Sequence, residues 1–216
     1  MEVGILGGTG PAGRGLCARL ALGQLGVVLG SRDEDRAKVV AAELNAMLPP
    51  AARRVEGSSN EGAARAPVVI VATPWESTTA LLGQLKAPLA GKVVISMVNA
   101  LVKDGREMLA MIAPRGSVAG SVQSTLPDSL VAAAFHHLPA SEMIDLDSGL
   151  VADVLVCSDH EAATNATMKL VDRIEGLRGI DAGSLSQAMA IEAFTAVCIT
   201  INIRNRAHSS IRMTGI

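Results

Sequence analysis

Aromatic side chains are almost missing from this chain. It has two Phe, one Trp and no Tyr in 216 residues. Apolar residues nevertheless make up 49% of it, so the core must be filled by Ala, Val, Leu, Ile and Met. The length allows one sizeable core, or one large and one small domain. Cysteines are equally sparse. Cys17, Cys157 and Cys198 are odd in number and scattered, with no C-x-x-C spacing. That excludes a disulfide framework and a cysteine-based zinc site, and it fits a reducing cytosol. Excess charge is lacking too. The net charge is -2, with no Lys/Arg-rich block and no acidic tail, which argues against a nucleic-acid partner. The opening "MEVGILGG" has no basic n-region or cleavage-like segment, so no signal peptide is expected. The longest apolar stretch, Ala188–Ile201, is interrupted by Glu192 and falls short of the ~20 residues of a membrane span. It is expected to be a buried helix at a subunit interface. No G-x-S-x-G, H-E-x-x-H or nucleophile triad occurs, and nothing supports hydrolysis or a metal site.

What is present is an alternation. Short β-branched runs at Val3–Leu6, Gly26–Leu29, Val68–Ala72, Val93–Met97 and Ser117–Ala119 read as buried strands. Helical spacing fills Pro11–Leu22, Glu34–Met47 and Thr78–Leu85 between them. Such alternation predicts an α/β fold of Rossmann type, a doubly wound parallel sheet covered on both faces. Further on, strands are expected at Val131–Phe135 and Asp153–Cys157, and helices at Glu161–Ile174 and Gln187–Ile203. By composition "PPAARRVEGSSNEG" reads as a surface loop. A division near residue 140 is expected, into residues 1–140 and a smaller part, 141–216. The alternative is that the later elements extend the first sheet.

The first strand runs into "GGTGPAG", where Gly8, Gly10 and Gly13 fit G-x-G-x-x-G. The first glycine allows a tight turn. The second lets backbone approach a pyrophosphate, and the third lets the helix pack closely. Pro11 suits a first helical turn, where free N–H groups and the helix dipole favour an anion. Thr9 adds a hydroxyl there. The second strand ends in "LGSRDEDR". An acid at such a strand end would bond the ribose hydroxyls of NAD. Here the strand-end residues are Gly30, Ser31 and Arg32. Asp33, Glu34 and Asp35 come later and read as the cap and first turn of the next helix. Ser31, Arg32 and Arg36 suit a 2′-phosphate, which predicts NADP.

Together "ILGGTGPAGRGLCARLA…VVLGSR", "VATPWE", "FHHLPA" and "GLRGIDAGSLS" resemble the NADPH-dependent F-420 reductases, or F-420:NADP oxidoreductases, over nearly the whole chain. The resemblance implies a cytoplasmic homodimer that transfers a hydride between NADPH and the 8-hydroxy-5-deazaflavin of coenzyme F-420. It implies no catalytic side chain, since the cofactors carry the chemistry. It places Thr9, Gly10, Pro11 and Ala12 at the pyrophosphate, and Ser31, Arg32 and Arg36 at the 2′-phosphate. Thr73 and Ser77 would lie along the dinucleotide, and Val98, Asn99 and Ala140 on the nicotinamide side. His136 would sit near the deazaflavin, with Ser210 a contact at the C-terminus and residues 141–216 completing that site and the dimer interface. Adjacent strand residues face opposite ways, so His136 and His137 are not expected to share a site. Arg204, Arg206 and Arg212 either rim the site of an acidic tail or simply follow the helix dipole. Ala100 stands where many relatives have proline. Two other readings keep the NADP site: a reductase of a flavin, an imine or a ferric centre, and a non-catalytic NADP-sensing module.

Overall fold

The computed structural model describes residues 1–216. In chain order the first half runs β1 (Glu2–Leu6), α1 (Pro11–Leu22), β2 (Gly26–Ser31), α2 (Glu34–Met47), β3 (Val55–Ser59), α3 (Asn60–Ala63), β4 (Val68–Val71), α4 (Trp75–Gln84), α5 (Lys86–Leu89) and β5 (Val93–Ser96). Then come β6 (Leu101–Asp104), β7 (Glu107–Ala110), α6 (Val118–Thr125), β8 (Leu130–Ala133), α7 (Ala140–Ile144), β9 (Ala152–Ser158), α8 (Glu161–Val171) and β10 (Leu177–Asp181). A short 3-10 turn, Leu185–Gln187, leads into α9 (Ala188–Asn205).

Eight strands form one sheet in the order β10-β9-β8-β5-β4-β1-β2-β3. Every neighbouring pair is parallel except β8 and β9. This is the doubly wound architecture that the alternation predicts. The sheet continues across residue 140, because β9 pairs with β8. Alternate strand residues serve opposite faces. Val3, Ile5, Ile70 and Ile95 enter one cluster of 33 buried residues, whereas Leu6, Val69, Val71 and Val94 enter another of 23 on the second face. With so few aromatics these are aliphatic cores, and Phe135 is the single fully buried aromatic ring.

Several expectations are corrected. Ser117–Ala119 is not a strand. Ser117 is the N-cap of α6, with its side chain accepting from Gly120 N–H. The expected loop from Pro49 to Gly62 contains β3 and most of α3. Strand β8 stops at Ala133, and Phe135 bends the chain at φ +67°. His136 and His137 therefore follow the strand, and strand alternation does not govern them. The helix after Leu185 is longer than expected. With its 3-10 turn it runs 21 residues, and length and composition alone would let it cross a membrane. Nor is it buried all round. Ala188, Ile191, Glu192, Thr195, Ala196 and Cys198 face inward, while Met189, Phe194, Val197 and Ile201 are exposed. The buried carboxylate of Glu192 accepts from the N–H groups of Val118 and Ala119, at 2.7 and 3.0 Å, and so locks α9 onto the start of α6. Burial outweighs those two bonds and pushes Glu192 up to about 7.

Candidate functional site: a nucleotide cleft at the β1–β4 switch point

Strand order reverses between β1 and β4, and ligands of open α/β sheets bind beyond the strand ends at such a point. A cleft of about 650 Å³ opens there. From the first loop it is lined by Thr9, Gly10, Pro11 and Ala12. From the end of β2 and the first turn of α2 come Ser31, Arg32 and Arg36, and from the loop after β4 and the first turn of α4 come Thr73 and Ser77. Nine side chains or backbones singled out from sequence thus meet around one space.

The loop is held by backbone geometry. Gly7, one residue before the motif, is the one in the left-handed region, at φ +70°, and a Cβ there would lie 2.7 Å from Thr73 Cγ2. Gly8 N–H donates to Gly30 O at 2.9 Å. At Gly13 a Cβ would meet the Gly8 backbone at 2.8 Å, so this glycine lets the helix close on its own loop. Gly10 differs. A Cβ there would find no protein atom nearer than 3.8 Å, and its φ of -75° suits any residue. The protein does not require glycine at this position; a closely approaching ligand would. The N-terminus of α1 has no side-chain cap, and no chain atom accepts from the N–H groups of Ala12 and Gly13. Unpartnered N–H groups at the positive end of a helix dipole are an anion site. These residues fit a pyrophosphate.

The segment after β2 sorts its charges. Asp33 is the N-cap of α2 and accepts from Arg36 N–H at 3.0 Å. Glu34 pairs with Lys38 at 2.7 Å. The acids are committed to their own helix. Neither guanidinium, of Arg32 or of Arg36, has a hydrogen bond or ion pair within the chain, and both face the cleft. Two unneutralised arginines beside the Ser31 hydroxyl fit a phosphate. After β4, Thr73 Oγ1 is 2.8 Å from Thr78 Oγ1, which in turn donates to Pro74 O. That chain of bonds fixes the rotamer of Thr73.

A second space of about 390 Å³ continues the cleft and shares Ala12, Ala72, Thr73 and Pro74 with it. It is lined by Val98, Asn99 and the single tryptophan, Trp75. Asn99 Nδ2 donates to His136 O at 3.0 Å, while its Oδ1 is buried without a partner. His136 lines neither space. It is buried, and both ring nitrogens lack a partner. Ala140 begins α7 and also lies outside both spaces. Ser210 belongs to a C-terminal tail and donates to Val151 O at 2.8 Å. Asn60, Leu81 and Gln84 line the cleft and escaped the sequence reading. The last two lie on α4, one and two turns beyond Ser77.

Burial above all, with His137 beside it, pushes the His136 imidazole down to about 3. Its unfolded value is near 6.5, so the neutral ring contributes stability that is complete above pH 6.5. That stability is lost as pH falls towards 3. The melting temperature should therefore fall on acidification below pH 6.5, and more gently in His136→Leu. Equal acid limbs in thermal melts of the two proteins would show that His136 titrates normally.

The chain matches the family model for NADP oxidoreductase, coenzyme F-420-dependent, over residues 2–100. It is 35% identical to the F-420-dependent NADP reductase of Methanocaldococcus jannaschii, covering 100% of this chain and 99% of that one. The enzyme of the same name from Methanothermobacter marburgensis is also 35% identical, with the same coverage. Among solved structures, a candidate F-420-dependent NADP-reductase from Arthrobacter sp. FB24 superposes with a TM-score of 0.81 at 25% identity, covering 99% of this chain and 100% of that one.

Proposed function

Because this chain belongs to the coenzyme F-420-dependent NADP oxidoreductase family and transfers a hydride between NADP(H) and F-420, we propose which of its own residues carry out each part of that work. The observation that carries the proposal is the pair of unneutralised arginines beside an uncapped helix N-terminus in one cleft. Thr9, Gly10, Pro11 and Ala12 hold the pyrophosphate through backbone N–H groups and the α1 dipole. Ser31, Arg32 and Arg36 hold the 2′-phosphate, and Thr73 and Ser77 line the path between. The space walled by Val98 and Asn99 takes the nicotinamide, with Ala140 and His136 behind it. Ser210 and the tail close the deazaflavin side. In this division residues 1–140 bind the dinucleotide, and 141–216 complete the second site and the contact between subunits.

When bound, the two cofactors supply the chemistry, hydride passing between carbon 4 of the nicotinamide and carbon 5 of the deazaflavin. The side chains bind, orient and exclude water. His136, neutral at working pH, adds no charge beside the transfer path.

Helix α9 leaves Met189, Phe194, Val197 and Ile201 exposed and packs on the β6–β7 hairpin, where Thr200 accepts from Met108 N–H at 2.9 Å. Val102 and Leu109 of the hairpin, and Met111 and Ile112 after it, add further exposed apolar surface. A second copy of the chain covers it in a homodimer, and the enzyme works in the cytoplasm. Light scattering at micromolar concentration tests the dimer. For the reaction, the protein is mixed with NADPH and oxidised F-420 in a stopped-flow instrument, with flavin mononucleotide in parallel. Rapid bleaching of the deazaflavin band alone supports the assignment. Bleaching of the flavin alone would overturn the acceptor.

A further inference from the structure

Asn60, the first residue of α3 directly after β3, is one of the cleft residues that local motifs do not point to. It is 5% exposed, yet it lines the cleft beside Gly7, Ser31 and Arg32. Its Oδ1 accepts from Gly7 N–H at 3.1 Å, which fixes the orientation of the amide. The opposite end, Nδ2, has no partner in the chain, and it is not among the sealed polar atoms that lack one. It therefore opens into the cleft. The amide also occupies the space above Gly30: a Cβ at Gly30 would lie 2.8 Å from Ala63 Cβ and 3.0 Å from Asn60 Oδ1. A side chain on β2 at that level is replaced by one delivered from the start of α3.

We propose that Asn60 is a specificity-determining residue of the coenzyme site, fastening the left-handed Gly7 with its Oδ1 and donating from Nδ2 to the phosphorylated ribose of the nucleotide. This inference rests on the NADP reading above. A neutral donor suits an acceptor-rich ribose phosphate, whereas a carboxylate in the same place would repel it. Asn60→Asp keeps an acceptor for Gly7 N–H and replaces the Nδ2 donor by a charged oxygen.

The test is equilibrium binding of NADPH, NADH and 2′,5′-ADP at pH 8 to the full chain and to Asn60→Asp. The variant should bind NADPH and 2′,5′-ADP at least tenfold more weakly. NADH affinity should change by less than threefold. A purely structural role would weaken NADH and NADPH equally, and that result, or no change at all, would overturn the proposal. If the variant does not fold, heteronuclear NMR of the wild-type protein decides. The Asn60 side-chain amide should shift on adding 2′,5′-ADP and shift less with 5′-ADP; equal shifts would overturn the proposal. A wild-type protein with no preference for NADPH would sink the NADP reading itself. A wild-type preference that survives in Asn60→Asp sinks this inference alone.

Discussion

Arg32→Ala should raise the KM for NADPH roughly 10- to 50-fold and leave the KM for NADH within about twofold. The guanidinium has no partner in the chain, so its removal orphans nothing in the protein and should not disturb the fold. A hydrogen bond to a charged group contributes enough for a loss of one to two decades. The arginine is exposed, which places the effect in the lower part of that range through solvent screening. The kcat at saturating NADPH should hold, because the 2′-phosphate is remote from the transferred hydride. NADPH affinity should also weaken with rising salt, and less steeply in the variant. Steady-state kinetics with both coenzymes at two ionic strengths measures all of this. Parallel loss of NADPH and NADH would mean that Arg32 supports the cleft rather than reads the phosphate.

The parts of this site that were legible in sequence are those encoded by neighbours in the chain. The glycine loop, Ser31 with Arg32 and Arg36, and Thr73 with Ser77 each sit within one strand–turn–helix unit. Their geometry follows from local rules for turns, caps and helix starts. The charge sorting after β2 is local as well, since Asp33 and Glu34 find their partners three and four residues away. The losses have a different cause. Val118 and Ala119 sit among small residues and read as a strand, yet their N–H groups meet a carboxylate more than 70 residues away. Strand β3, with "VEGSS", has almost no β-propensity and one fully buried residue. Its Gly57 is there for space: a Cβ would lie 2.5 Å from the backbone of Ala37 and Lys38 in α2. Missing β3 hid Asn60. The β6–β7 hairpin does carry a local signal. Its two-residue loop, Gly105–Arg106, has glycine at φ +55°, as a type II′ turn asks.

Asp153→Ala should release the C-terminal tail and lower the melting temperature by on the order of 5 °C. The carboxylate is fully buried, and it gathers the tail around it. Arg178 pairs with it at 2.8 Å, Arg212 lies at 3.3 Å, and Met213 N–H donates to it at 2.5 Å. Arg178 continues outward to the carbonyls of Met213 and Ile216. Asp153 N–H donates to Ile211 O at 2.8 Å, a bond that alanine keeps, so the tail should loosen from Arg212 onward first. Both arginines keep a third to a half of their side chains in solvent, which moderates the loss. The side-chain bond from Arg178 holds the carboxyl down at about 2, against an unfolded value near 3.9. Its stabilisation is complete above pH 4 and lost as pH falls towards 2, so that part of the acid transition should vanish in the variant. The functional consequence separates the two half-sites. Under the proposed division the tail borders the deazaflavin and not the dinucleotide. NADPH binding should then stay within twofold of wild type, while the KM for F-420 rises several-fold. Unchanged kinetics for both substrates, alongside a lowered melting temperature, would make the Asp153 cluster a fastening of the fold alone and remove the tail from the second site.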